Sequence, residues 1–377
     1  MQTKRFGLCA ALSAAALLLL AGCAGSGSTA APTLTVESSY PLQYAKQFTV
    51  DECTGGYELI TIADSQYLVV PQGAAVPEDL PQGTTVLQQP IENIYLVSTS
   101  AMDPIISLGA LDSIALSGTK ADGWYLPEAK AAMQAGKIAY AGKYSAPDYE
   151  TILASGCGLA IENTMIYHTP EVKEQLEKFG IPVLVERSSY ETDPLARMEW
   201  VKLYGILLGK KQEAEQLFDT QVQRVVPLEN QQPTGKSVAF FSITSNNLVT
   251  VRKSSDYVAR MIEMAGGSYV FDDLTDNGNN LATINLSLED FYAGAKDADV
   301  LLYNSTIEGS IASTEQLVEK CPLLAQFKAV QNGNVWCTAQ SLFQQSMELP
   351  DLILDMNRVF TEGTPADSEL TFLTHVE

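Results

Sequence analysis

The sequence predicts an α/β protein with two similar lobes, each built on a mainly parallel sheet, joined by one long helix. Three observations predict it. Short apolar runs alternate with amphipathic stretches, first over residues 33–193 and again over 235–345. This is the pattern of parallel strands wrapped by crossover helices. Between the halves, Met198, Val201, Tyr204 and Leu208 recur at helical spacing, and no proline interrupts 195–226. One unit also occurs twice, as DYETILASGCGLAIENTMIYH (148–168) and SLEDFYAGAKDADVLLYNST (287–306). Each copy starts with a Glu in a short helix and climbs an apolar strand. Each ends in a polar cluster, Glu162-Asn163-Thr164 in one and Asn304-Ser305-Thr306 in the other.

Taken in order, residues 1–22 read as a signal peptide, with basic Lys4 and Arg5 before an apolar run that ends in small residues. The run is shorter than the about 20 apolar residues of a membrane span. Cys23 follows Ala21-Gly22 and resembles the lipidated cysteine of a bacterial lipobox. Residues 23–32 are small and polar, as a flexible tether should be. In the N-terminal lobe, 33–193, strands are expected at 67–70, 94–99, 114–117, 138–141, 159–162 and 183–186. Helices are expected at 102–111, 127–135, 148–154 and 170–179. Asp193 and Pro194 are suited to open the connecting helix over 194–228. Thirty residues of helix would make a rod of roughly 45 Å. The alternative is two helices with a turn at Gly209-Lys210. The C-terminal lobe, 235–377, repeats the scheme. Its strands are expected at 238–243, 248–251, 300–303 and 335–338, and its helices at 256–264, 289–298, 314–330 and 349–360.

Composition limits function. The net charge is −22, and residues 1–22 hold two positive charges and no acid, so the exported chain is more acidic still. Such a surface repels nucleic acid and anionic lipid. Of the six cysteines, Cys9 leaves with the signal and Cys23 is the lipid site. Cys321 and Cys337 are the candidate disulfide, with four buried thiols as the alternative. No serine-nucleophile elbow, zinc-protease helix or phosphate loop is present, and two histidines leave little for base catalysis. A surface adhesin or an exported enzyme is the competing class.

Together, the order of these motifs, the connecting helix and the lipobox resemble the substrate-binding lipoproteins of ABC importers. The branch resembled has two Rossmann-like lobes and a helical spine, the class III periplasmic-binding fold of iron–siderophore, haem and cobalamin binders. APDYETILASGCGLAIEN and LSLEDFYAGAKDADVLLYN carry the match. Gly158 stands where that family usually has Asp, and the stretch before Ile94, including YLVVPQG, lies outside its common core. The resemblance implies that Glu150 and Glu289 meet arginines of a membrane permease, which works with its ATPase. It also implies an extracytoplasmic, lipid-anchored, monomeric protein that is not an enzyme and needs no cofactor. Both Glu residues are expected at the end of the sheets away from the cleft.

In an open α/β sheet, ligands bind beyond the carboxyl ends of the strands. The loops there supply Trp124, Tyr125, Tyr144, Asn163, Met165, Tyr167, Arg187 and Tyr190 from the first lobe. The second offers Asn246, Asn247, Arg252, Tyr257, Asn304, Gln340, Phe343 and Gln344. Aromatic walls with a few polar groups suit a small organic ligand, and Arg187 and Arg252 suit an anionic one. A bare metal ion needs several converging imidazoles or carboxylates, and only His168 and His375 are available. The expected cargo is a chelated iron compound, a ferric siderophore first. Haem is the near alternative, with His168, Met165 or a tyrosine as axial ligand, and cobalamin is the third. Arg197 and Glu199 at the start of the connecting helix are either functional or an exposed pair.

Overall fold

Strand-forming residues in the first quarter of the chain pair with their immediate neighbours. The computed structural model describes residues 33–275 and 282–377. The expected signal peptide, the tether and Cys23 lie outside the described residues. Five strands form a first sheet in chain order: β1 (Val36–Ser39), β2 (Phe48–Cys53), β3 (Tyr57–Ile62), β4 (Ser65–Val70) and β5 (Thr85–Gln88). β1 to β4 are antiparallel, and β5 joins β4 in parallel. The β2–β3 turn holds Gly55 and Gly56 at φ +82° and +80°, a conformation open to glycine at no steric cost. Residues 67–70 are therefore the fourth strand of a separate sheet, not part of the parallel sheet that follows. Hairpins close before any helix can intervene.

The first lobe runs β6 (Ile94–Leu96), α1 (Met102–Ser107), β7 (Ile114–Ser117), α2 (Pro127–Gln134), β8 (Ala139–Tyr140), a small hairpin of β9 (Gly142–Lys143) and β10 (Ala146–Pro147), α3 (Tyr149–Ala154), β11 (Ala160–Glu162), α4 (Pro170–Lys178) and β12 (Val183–Val185). Its sheet has the order β12-β11-β6-β7-β8, parallel throughout. β6, β11 and β12 are buried along their whole length, which is why their sequences are uniformly apolar until the strand ends.

The connection is a helical hairpin rather than one rod. α5 (Pro194–Leu207) ends at Leu208, Gly209 turns at φ +68°, and α6 (Lys211–Val225) returns against α5. A Cβ on Gly205 would stand 2.4 Å from the Ala214 Cβ and 2.8 Å from the Lys210 carbonyl oxygen. The glycine that weakens the helix is thus what lets the two helices touch. Every residue of α5 is buried. It contacts α1 of the first lobe, α6, and helices α7 (Tyr257–Met264) and α12 (Leu349–Glu362) of the second. Its outer side is covered by the N-terminal sheet, where Phe48 meets Trp200 edge-on at 4.9 Å. Glu199 is buried, and its carboxylate accepts the backbone N–H groups of Gln43, Tyr44 and Ala45, each at 2.8 Å, and the Lys202 ammonium at 2.7 Å. The Arg197 guanidinium stacks on Tyr257 at 4.9 Å. Neither forms an exposed pair. Both fasten α5 to its surroundings.

The second lobe runs β13 (Ser237–Ile243), β14 (Val249–Arg252), α7, β15 (Ser268–Tyr269), β16 (Thr283–Leu286), α8 (Leu288–Ala295), β17 (Val300–Tyr303), α9 (Ser305–Glu308), α10 (Thr314–Lys320), α11 (Lys328–Gln331), β18 (Val335–Thr338), α12 and β19 (Leu373–His375). The sheet order is β16-β14-β13-β17-β18-β19, with β15 also on β13. β13, β17 and β18 form its parallel centre, while β14, β16 and β19 join by antiparallel pairing. The helix expected over 314–330 is interrupted after Lys320, because Pro322 cannot continue it. Cys321 and Cys337 are not bonded. Cys53, Cys157, Cys321 and Cys337 are all free thiols, and Cys337 turns its sulfur toward the Thr338 carbonyl.

Candidate functional site

The carboxyl ends of both parallel sheets open into one cleft. At its floor the strand exits are held by buried hydroxyls and one acid. The Glu186 carboxylate, just after β12, accepts the Ser98 and Ser100 hydroxyls at 2.9 and 3.0 Å and the Ser188 N–H at 2.7 Å. In the second lobe the Ser305 hydroxyl donates to the Thr338 carbonyl at 2.5 Å. The stretch after β18 then crosses to the first lobe. Ser346 donates to the Ser100 carbonyl at 3.0 Å, and the Met347 N–H donates to Asp103 at 2.7 Å. Burial and the neighbouring Glu348 carboxyl push Asp103 up, so this acid pair is held partly protonated between the lobes.

Two cavities lie in the cleft. One, of about 330 Å³, is walled on one side by Thr164, Met165, His168, Ser189, Tyr190, Glu191 and Thr192, and on the other by Lys253, Ser255, Asp256 and Ala282. Burial pushes the Asp256 carboxyl up, against the pull of Arg252 at 3.5 Å. The second cavity, of about 260 Å³, covers one face of β13, β14 and β16. Phe240, Ser242, Thr250, Arg252, Thr283 and Asn285 line it there, with Asn304, Ile307 and Phe343 above. Arg252 stacks on Phe343 at 4.6 Å.

Apolar side chains crowd the same rim. Tyr125, Met165, Tyr167, Leu248 and Ile307 are all more than a third exposed and sit on the loops and short helical turns that follow strands. Val36, Val76, Tyr140, Leu153 and Phe179 are exposed elsewhere on the molecule, so what sets this rim apart is that Met165 and Ile307 also line the cavities.

The structure brings together part of the expected site. Met165 and Tyr190 line the first cavity, and Arg252, Asn304 and Phe343 the second. Arg187 stacks behind Tyr190 at 4.5 Å. Asn163 and Asn304 reach the cleft end but cap the following turns, accepting from the N–H of Met165 and of Thr306. Gln344 ties the lobes together: its amide accepts the Tyr125 N–H at 2.8 Å and donates to the Gly123 carbonyl at 2.9 Å.

Other expected residues lie elsewhere. Trp124 is 1% exposed, with its indole N–H on the Ser117 hydroxyl at 3.2 Å, so it is core. Tyr257 is buried under Arg197. Tyr144 packs against the first lobe's helix-side core. Asn246, Asn247, Tyr167 and Gln340 line neither cavity. Lys253, Ser255, Asp256, Thr283 and Asn285 were missed. The first three follow a strand as the polar run KSSD, a legible loop signal, and β16 lies in ATINLSL (282–288), whose apolar–polar alternation is a strand pattern that is not among the strands expected above.

Glu150 and Glu289 are exposed in the first turns of α3 and α8. Their position corrects the expectation that they lie away from the cleft. The Ala141 N–H bonds to Ser117 at the carboxyl end of β7, and the Asp148 N–H that opens α3 bonds to Ala141. Leu286, just before α8, is aligned through Val249 with Ile243 at the carboxyl end of β13. A crossover helix must begin where the strand before it ended, so both Glu residues sit on the cleft side of the sheets.

Among the described residues no group of three or more His, Cys, Asp or Glu side chains is set to hold a metal ion, and no helix is long and apolar enough to cross a membrane.

Comparison with known proteins follows the same geometry. The model of the periplasmic binding protein family matches residues 96–341. An uncharacterized lipoprotein of Methanocaldococcus jannaschii is 28% identical over 241 residues, 62% of this chain and 55% of its own. A second uncharacterized protein of that organism is 26% identical over 44% of this chain and 49% of its own. The chain thus spans about half the length of these relatives. Among solved structures, the periplasmic haem binding protein of Vibrio cholerae superposes with a TM-score of 0.57 at 18% identity, covering 73% of this chain and 99% of that one. An Fe3+-hydroxamate transport protein of Saccharomonospora viridis gives 0.55 at 22%, covering 72% and 94%. A periplasmic binding protein of Veillonella parvula gives 0.60 at 16%, covering 88% and 99%.

Proposed function

The chain belongs to the periplasmic binding protein family, and on that premise we propose that it is the solute-binding lipoprotein of an ABC importer that captures a chelated iron compound, a ferric siderophore foremost. The observation that carries the reading is the two-walled cavity between the lobes, with exposed Met165 on its wall and exposed Ile307 on the rim of the neighbouring cavity. Organic chelates present apolar and aromatic faces that such a rim would cover. Arg252 and Lys253, cations at the cleft of a strongly acidic chain, suit a complex with net negative charge. Lipid on Cys23 would keep the protein beside its permease, and Glu150 and Glu289 would contact permease arginines from the cleft-side rims of the two lobes.

A second reading is haem, favoured by one observation: Met165 and His168 stand on the same wall of the first cavity. Both are axial ligand types for haem iron.

The test titrates metal-free protein with a ferric tris-catecholate, a ferric trihydroxamate, haemin and cyanocobalamin, reading absorbance and intrinsic fluorescence. A siderophore-type chelate is expected to bind at micromolar concentration or below. Haemin binding with a Soret band that His168→Ala shifts would favour haem instead. If all four fail and free zinc or manganese binds, the cargo class is wrong.

A further inference from the structure

The N-terminal sheet lies before residue 96, outside the segment matched to the family. Yet the link between β1 and β2 reaches the cleft wall. The Glu191 carboxylate, whose residue lines the first cavity, accepts the Lys46 N–H at 3.0 Å and the Gln47 N–H at 2.9 Å. It also accepts the Trp200 indole N–H at 3.0 Å, which anchors it to α5. One residue earlier, Tyr190 lines the same cavity, and the Arg187 guanidinium stacks on its ring at 4.5 Å. The Gln47 side-chain carbonyl in turn accepts the Arg187 Nε–H at 3.4 Å. Among the described residues no carboxylate forms an ion pair with Arg187, so Gln47 is the side chain seen to orient it. Two adjacent wall residues are thus gripped from behind by one loop of the extra sheet.

We propose that this sheet is part of the ligand-binding apparatus, and that Gln47 is a positioning residue that fixes the Tyr190–Glu191 wall through Arg187. The inference rests on the reading that the interlobe cavity holds the ligand. A stacked guanidinium on its long, flexible side chain can adopt several rotamers. An acceptor at Nε selects one, and the ring beneath it is then held in one orientation. Gln47 touches no ligand itself, so its contribution passes wholly through Arg187.

The test is a double-mutant cycle on the full exported chain, read by two methods. Binding of haemin and of the two ferric chelates is measured, and amide exchange is followed over residues 187–192. Gln47→Ala should weaken binding of whichever probe the wild type takes by about three- to tenfold and speed exchange in that segment. Gln47→Glu restores the acceptor and should behave as wild type in both. In an Arg187→Ala background, Gln47→Ala should change neither further. Gln47→Leu, which keeps the bulk of the side chain, replaces Gln47→Ala if that variant unfolds. Wild-type binding and exchange in Gln47→Ala, or an undiminished penalty in the Arg187→Ala background, would overturn the proposal. If no probe binds the wild type, the cargo reading fails by itself, and the exchange data alone then decide the positioning role.

Discussion

In the first lobe, α3 opens on Asp148, whose carboxylate accepts the Thr151 N–H at 3.1 Å; in the second, α8 opens on Ser287, whose hydroxyl accepts the Asp290 N–H at 3.0 Å. The strands that follow both end in a fully buried residue with an unpartnered oxygen, Glu162 on β11 and Tyr303 on β17. Both are then followed by an asparagine that caps the next turn. The shared features are those that the chain path demands: a capped helix, a buried strand and a capped exit into the cleft. The last strand position is only required to be buried, and there the lobes diverge. Burial alone pushes the Glu162 carboxyl up to about 8; burial, with Cys337 and Glu308 nearby, pushes the Tyr303 hydroxyl up to about 12. At this matched strand end, then, the first lobe carries a group that titrates near neutral pH and the second does not.

That difference gives the largest expected effect. Glu162 keeps its proton in the folded chain up to about pH 8 but loses it near its ordinary value, 4.5, once unfolded. Unfolding then releases a proton between those limits, so stability falls as pH rises through the window and levels off above it. Glu162→Gln removes this share of the slope, and at pH 9 it should be more stable than wild type by about 5 kcal/mol. At pH 4 the two should match. Tyr303→Phe should show no change in slope below pH 9. Denaturant titrations at four pH values check both, and a flat profile for the wild type would break the contrast.

The two lobes are next compared at their rims. Glu150→Gln with Glu289→Gln should leave ligand affinity unchanged and, if the proposed charge-assisted contacts to the permease are made, cut uptake in cells by roughly tenfold or more. Each single change should give a smaller and similar loss if the lobes dock alike. Normal uptake by the double variant would end the docking assignment.

The smallest effect concerns the exits. Asn163→Ala and Asn304→Ala each remove a cap and should each cost about 1 kcal/mol. The Asn304 side chain also accepts the Thr306 hydroxyl at 2.8 Å, so its loss should be the larger of the two. Equal losses would mean that the hydroxyl contact adds nothing.

Much of this architecture was legible because it is local. Asp148, Ser287 and Asp256 announce helix starts, and each accepts a backbone N–H as a cap should. Apolar runs at 159–161, 183–185 and 300–303 read as buried parallel strands and are such. The cleft was legible only in outline. Trp124 and Tyr257 looked like wall residues because their loops are polar, but Ser117 and Arg197 draw them inward from other elements. Residues 36–88 form their own sheet through the short turns at Thr54–Gly56 and Ala63–Asp64, which leave no room for a crossover helix and were a legible hairpin signal.

The sequence by itself determined where helices begin and which strands are buried, because caps and apolar runs act within a few residues. It also determined the family and the repeated unit within it. Only the tertiary structure decided that the connection folds back at Gly209, since Gly205 must meet Ala214 from another helix. It decided that Cys321 and Cys337 stay apart, and that Glu150 and Glu289 share the cleft side. It also brought the β1–β2 link to Arg187 and Glu191, contacts across 140 and 145 residues. Such contacts depend on how elements pack against one another, and nothing in the local pattern of either segment records its partner.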